Sequence, residues 1–333
     1  MKKNIFFLLA LISLWGCNKS IDRCSINVLE SSLLLYKLNA YNSSLVDKTG
    51  TSRMINVQKD SLIYINQTRG INWRQFWLAD AGGAWRGGKC GFMYGSAFSP
   101  SGAVAGAVVG GLLTGAIASG VDYWIQKGCV EESSVLHKMI CSNEIFDSEE
   151  LHALYLNISK FDFEKYERDT LDLHLPQCGE QLHSVGIGHN VLLDALLKSE
   201  ETPSIDSLKV LGMRLSNSAG QDDDLLIDDF SAQMVSSKIF KHDFSELVSD
   251  QIERSENQII FDQAETLPDY VMNLFLEASL IYSNQENNLT DLVNYYCEMI
   301  EPSPELSEED KISLYMGMVV AAYSAKYWDK CNY

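Results

Sequence analysis

Between Ala79 and Gln126, small residues return at every fourth position. Ala79, Gly83, Gly87, Gly91, Gly95 and Ser99 form one row. After Pro100, a second row holds Ala103, Ala107, Gly111, Gly115 and Ser119, and Gly102, Gly106 and Gly110 run beside it. Residues four apart share one face of a helix. A face stripped of side chains lets another backbone approach closely, the geometry that joins helices tightly in lipid. From Cys90 to Val121 there is no charged residue. Ser99-Pro100-Ser101 interrupts the pattern, because proline disfavours helical geometry in the residue before it and has no N–H to donate. The spacing therefore predicts two small-faced helices folded into a hairpin over 79–126. Its packing ladder is Gly83, Gly87, Gly91, Gly95, Gly102, Gly106, Gly110, Gly111 and Gly115.

Two environments suit such a hairpin. Gly102 to Val121 would span roughly 30 Å as a helix, about one hydrocarbon thickness. The first half carries Asp80, Arg86 and Lys89. Each costs about 2.5–3.5 kcal/mol at a bilayer centre, so they must lie near its outer end or be paired. Trp73, Trp77 and Trp85 precede the second helix and Tyr123 and Trp124 end it, residue types favoured at the membrane–water boundary. The other environment is the interior of a soluble domain or an oligomer. Glycine costs about 1 kcal/mol per helical position in water relative to alanine, so many of them demand a packing reason there too.

The chain opens as an export signal does. Lys2 and Lys3 form a basic end, and Ile5 to Trp15 is an apolar run too short to span as a mature helix. Leu14-Trp15-Gly16-Cys17 comes next. This run resembles the lipobox of bacterial lipoproteins: an aliphatic residue three before the cysteine, a small residue one before it, and the cysteine. Trp15 stands where the family usually has a smaller residue. The resemblance implies cleavage before Cys17 and attachment of lipid there. More than one acyl chain gives stable anchoring. Asn18 to Ser20 then serves as a short tether.

Charge divides the mature chain into two unequal parts. Loss of Lys2 and Lys3 takes the formal net charge from −19 to −21. Cys17 to Val130 holds 11 Lys+Arg against 6 Asp+Glu, whereas Glu131 to Tyr333 holds 13 against 39. The half with the hairpin is mildly basic, as suits anionic head groups. The acidic half repels nucleic acid and membrane surface, so no nucleic-acid partner is expected.

Apolar spacing predicts a helix over Ser25–Leu38, then a turn-like stretch from Asn39 to Thr51. Met54–Val57 and Leu62–Ile65 predict a small β-hairpin around Lys59-Asp60-Ser61. Beyond Gly128, helices are predicted over His137–Phe146 and Ser148–Lys160, and Asp169–Pro176 alternates as an extended segment. Cys178 to Asn190 reads as a Gly-containing loop, with Asn190 capping a helix over Val191–Lys198. Further helices are predicted over Ser204–Ser216, Leu225–Phe240, Ser245–Ile259, Leu267–Ser283, Leu289–Ile300 and Glu305–Trp328, with Pro302 and Pro304 between the last two. No long period repeats. The fold class is mainly α, a Gly-rich helical hairpin followed by an acidic all-α bundle, with a small β-hairpin near the N-terminus. The chain divides into a signal peptide (1–16), a tether and small α/β segment (17–78), the hairpin (79–126), a helical connector (127–189) and an acidic helical domain (190–333).

No residue set announces a reaction. Cys178, His183 and His189 fall in one stretch, but C-x4-H-x5-H lacks a fourth ligand and matches no tight zinc spacing. Gly186-x-Gly188 has no strand–GxGxxG–helix unit around it. Asp222-Asp223-Asp224 lacks the glycine and terminal glutamate of a calcium loop, and no serine sits in a G-x-S-x-G elbow. Of eight cysteines, seven remain once Cys17 is acylated, an odd number for an exported chain. Cys129 and Cys141 suit one another by spacing alone. No catalytic residue, metal or cofactor is expected.

Two further resemblances bear on role. Val185-Gly186-Ile187-Gly188-His189-Asn190, with Leu193 and Asp194, loosely resembles the entry to a helical domain in uncharacterised secreted chains and lipoproteins of the Bacteroidetes, which lend no activity. The hairpin resembles glycine-zipper segments of envelope lipoproteins and the Gly-rich helices of membrane-permeabilising bacteriocins. Together these imply a non-enzymatic envelope protein, anchored by Cys17 at the outer membrane of a Gram-negative bacterium. Its hairpin would insert in or pack against the membrane or self-associate as a homo-oligomer, and its acidic helices would meet an unidentified protein partner. The alternatives are a membrane-permeabilising protein, a lipid-tethered soluble binding module with the hairpin in its own core, and a hydrolase with an unrecognised site.

Overall fold

A computed structural model describes residues 32–49, 73–96, 100–126, 171–176, 182–198, 264–282 and 289–331. These are almost entirely helical and contain no strand; the fold is mainly α. The helices are α1 (Leu33–Thr49), α2 (Trp73–Ser96), α3 (Pro100–Gln126), α4 (Leu182–Lys198), α5 (Leu267–Tyr282), α6 (Thr290–Ile300) and α7 (Glu308–Cys331). The predicted signal, Cys17, the β-hairpin at 52–66, the helices between 137 and 160 and between 204 and 259, Cys129, Cys141, Cys178 and Asp222–Asp224 all lie outside the described residues.

The helix starts follow from local chemistry. Ser32 caps α1 by accepting the Leu35 N–H at 3.2 Å. Pro100 opens α3 where a missing N–H costs nothing. Thr266 and Ser307 precede α5 and α7, each paired with an aspartate three residues on: Asp269 accepts the Thr266 N–H at 2.7 Å, and the Asp310 N–H donates to Ser307 Oγ at 3.1 Å. The turn at Pro302 and Pro304 is braced by Lys311, whose Nζ donates to the Glu301 carbonyl at 2.9 Å, and by Tyr315, whose hydroxyl donates to Glu301 Oε2 at 2.9 Å.

Two local expectations are corrected. The stretch from Asn39 predicted to turn instead continues α1 through Thr49. Its polar side chains bond within the helix: Asn39 Nδ2 donates to the Leu35 carbonyl at 3.0 Å and Ser43 Oγ to the Asn39 carbonyl at 2.9 Å. Asn42 is buried and reaches across to α5 and α6, donating to the Leu274 carbonyl and accepting from the Tyr296 hydroxyl, each at 2.9 Å. Likewise Gly186, Gly188 and Asn190 do not form a loop and cap; α4 runs unbroken through all three.

Leu171–Pro176 is non-helical, with Leu171 and Leu173 buried and Asp172 and His174 exposed, the alternation expected. Asn294 of α6 holds it as a strand edge would, accepting the His174 N–H at 2.7 Å and donating to the Asp172 carbonyl at 3.1 Å.

One core joins these parts. The hairpin α2–α3 lies in it with α7 along α2 and α4 against α3 and α7, while α1, α5 and α6 meet beside α7. Trp77 and Trp85 are buried. Phe76 and Tyr123 close around Trp328, with ring centroids 4.5 and 5.7 Å from it. The hairpin's aromatic flank therefore packs on the last helix.

Candidate functional site

The seam between α2 and α3 is made of backbone. A Cβ on Gly83 would stand 2.7 Å from the Thr114 carbonyl oxygen and 3.0 Å from Ala118 Cβ. One turn on, a Cβ on Gly87 would collide with the Gly110 carbonyl, and one on Gly110 with the Gly87 carbonyl. A further turn on, Gly91 stands against the Gly106 carbonyl. Each step of four along α2 is matched by a step of four back along α3, the register of an antiparallel pair.

The facing row of α3 is thus Gly106, Gly110, Thr114 and Ala118. Gly111 and Gly115 touch α2 as well, at the Ala84 and Asp80 carbonyls, and add contacts to α7 and α4. Gly111 receives the Met316 side chain of α7, while Gly115 lies 3.2 Å, for an added Cβ, from both the Asp80 carbonyl and the His189 ring. The surroundings of Gly95 and Gly102 lie outside what the structure describes. Gly317 of α7 was not singled out by spacing. A Cβ there would stand 2.9 Å from the Ala81 carbonyl of α2; a lone glycine between Met316 and Met318 in an apolar helix is the signal for such an approach.

Beside the seam lies a fully buried polar cluster drawn from three helices, α2, α4 and α7. Asp80 of α2 and His189 of α4 form an ion pair, Oδ1 to Nε2 3.1 Å, both side chains at 0% exposure. Ser324 Oγ of α7 donates to the other oxygen of Asp80. His189 Nδ1 meets Asn190 Oδ1 at 3.1 Å, and Asn190 Nδ2 donates to the Tyr323 carbonyl at 2.9 Å. Burial alone depresses the His189 imidazolium. The Asp80 carboxylate, with hydrogen bonds to Asp80, Asn190 and the Gly115 backbone, outweighs it and holds the imidazole pKa above 6.5.

Ser, His and Asp together invite comparison with a hydrolase triad, and the order excludes it. A triad needs histidine between serine and aspartate, taking the serine's proton. Here aspartate is the middle member, the serine donates to it, and no member reaches solvent. The cluster can hold helices and a proton; it cannot present a nucleophile to a substrate.

His183 and His189 do not converge on a metal. His183 Nδ1 meets the Tyr323 hydroxyl at 2.9 Å while His189 faces Asp80. Among the described residues no group of three or more His, Cys, Asp or Glu is placed to hold a metal ion. Over the same residues, no helix is long and apolar enough to cross a membrane. Comparison with protein-family models, with curated proteins and with solved structures gives no match.

Proposed function

We propose that the chain is a non-enzymatic, lipid-anchored cell-envelope protein, tethered through Cys17, whose Gly-rich hairpin is the spine of its own helical domain. One observation carries this reading: among the described residues, the glycines of both small-residue rows on α3 are met from within the chain. Gly106 and Gly110 meet α2, Gly111 takes Met316 of α7, and Gly115 takes His189 of α4. The hairpin's charge fits the same reading, since Asp80 is neutralised inside the fold by His189. A hairpin lying in lipid would have to shed α7 and α4 and leave Asp80 without its partner, at the cost of several kcal/mol that attends an unpaired buried charge. The acidic surface then faces water and an unidentified protein partner, and the lipid on Cys17 keeps it at the envelope.

Detergent phase partition of cells making wild-type or Cys17→Ala protein tests this. The wild type is expected in the detergent phase and Cys17→Ala in the aqueous phase. Cys17→Ala that stays in detergent and resists carbonate extraction would return the hairpin to the membrane.

A further inference from the structure

The Asp80–His189 pair ties α4 to the rest of the domain, and α4 is poorly suited to stand alone. It contains Gly186 and Gly188 within a turn of His189, each costing about 1 kcal/mol of helix stability. What offsets that loss comes from outside: the Tyr323 ring lies over Gly186 and the Leu112 side chain over Gly188. The α2–α3 seam, by contrast, is closed by contacts that do not involve α4. The closure of the hairpin therefore does not depend on α4, whose own seat is apolar, with Leu182, Val185, Val191, Leu192 and Leu193 buried, apart from the Asp80–His189 pair and the Asn190 bond.

We propose that the buried Asp80–His189 pair is a proton-operated latch on α4: with His189 charged the helix is docked, and loss of that proton lets it lift from α2, α3 and α7. Once His189 is neutral, Asp80 stays buried without a cationic partner among the described residues, the Ser324 hydroxyl still donating to it, an arrangement relieved by admitting water as α4 moves away. From α2 the group facing His189 is Asp80; from α3 it is the Gly115 backbone, with Asp122 as that helix's one charged residue, buried two turns further on. From α7 come Ser324, the phenols of Tyr323 and Tyr327, and Lys326; α4 itself carries His183, Asp194 and Lys198. Of these, Asp80 supplies the charge that acts on His189.

The direction follows from proton linkage. The docked state holds the proton more tightly than the undocked one, so docking is fully favoured below pH 6.5. The undocking constant then rises with pH, by at most about tenfold per unit, and levels off once the docked imidazole itself titrates. Amide hydrogen exchange of the full chain between pH 6 and pH 9, corrected for intrinsic exchange, reads this as the protection of α4 relative to α2. The expected result is a relative loss of protection at α4 that sets in near pH 6.5 and levels off at higher pH, absent in both His189→Gln and Asp80→Asn. A pH-independent ratio in the wild type overturns the latch, because pH then acts on the whole domain at once. A slope that survives in both variants overturns it as well, since another group, such as His183, would then carry it. Should either variant fail to fold, ring-carbon NMR of wild-type His189 decides: a titration midpoint above 6.5 supports the latch, and one at or below 6.5 sinks it.

Discussion

Tyr323 of α7 lies across Gly186 of α4, so close that a Cβ at Gly186 would fall among its ring carbons. That contact explains a glycine in the middle of a helix. It also shows how the domain is assembled: where a backbone is bare, a neighbour's side chain or backbone fills the space. The tyrosine is fixed at its other end as well, its hydroxyl meeting His183 Nδ1 at 2.9 Å and accepting the Leu171 N–H at 3.4 Å.

Glycines of α2 differ in what they tolerate. Gly87→Ala places a methyl group against the Gly110 carbonyl, and neither backbone can yield without parting the helices. We expect a loss of about 3 kcal/mol or more, at the upper end of overpacking penalties. Gly82→Ala meets only the far end of Arg86, at 3.7 Å, and is expected to be neutral or to gain up to about 1 kcal/mol from helix propensity. Urea unfolding of the two variants checks both; equal effects would mean that the seam is not the contact described.

Glu277 of α5 is partly buried near Tyr296, and burial raises its carboxyl pKa from 4.5 to about 7. A raised carboxyl penalises the folded state once ionised. The penalty is absent below pH 4.5, grows from there to about pH 7, and is complete above it. Allowing for partial solvent screening, its full size is about 1–2 kcal/mol. Glu277→Gln is therefore expected to stabilise the protein by about that much at pH 8 and to change nothing at pH 4, read as the difference in urea midpoint between the two pH values.

Asn42 spans three helices, using its amide nitrogen on the Leu274 carbonyl and its oxygen on the Tyr296 hydroxyl. Asn42→Ala strands both buried partners and should cost about 2–4 kcal/mol. Tyr296→Phe removes one bond and should cost about 1–2 kcal/mol. The double variant should lose less than the two effects combined, because the pair shares one bond; strict additivity in equilibrium unfolding would show that the bond contributes nothing.

Four-residue spacing made the hairpin legible, with its break at Pro100 and its small faces, because a repeat of bare positions has few uses other than close approach. It did not reveal which row meets which helix. Gly106 and Gly111 look alike in the sequence, yet one meets α2 and the other lies between the Ala84 carbonyl of α2 and Met316 of α7. The last three helices could be read from capping residues and prolines, and α5, α6 and α7 lie close to where those signals put them. The failures share a cause. Asn42-Ser43-Ser44 and Gly186–Asn190 carry turn-forming residues, and local propensity says turn. In each case distant partners override it: Leu274 and Tyr296 for the first, Tyr323, Leu112 and Asp80 for the second. The Asp80–His189 pair was hidden for the same reason. Its members stand far apart in the chain, and only the docking of α4 brings them together.

The seam between α2 and α3 has a genetic consequence. At Gly91 only the backbone of Gly106 and Ala107 presses on the bare α-carbon, so a side chain introduced there cannot be accommodated by trimming its opposite number, which has nothing left to trim. Second-site suppressors of a lesion such as Gly91→Ala should therefore map outside the hairpin, to changes that strengthen the grip of α7 or α4 on its flanks.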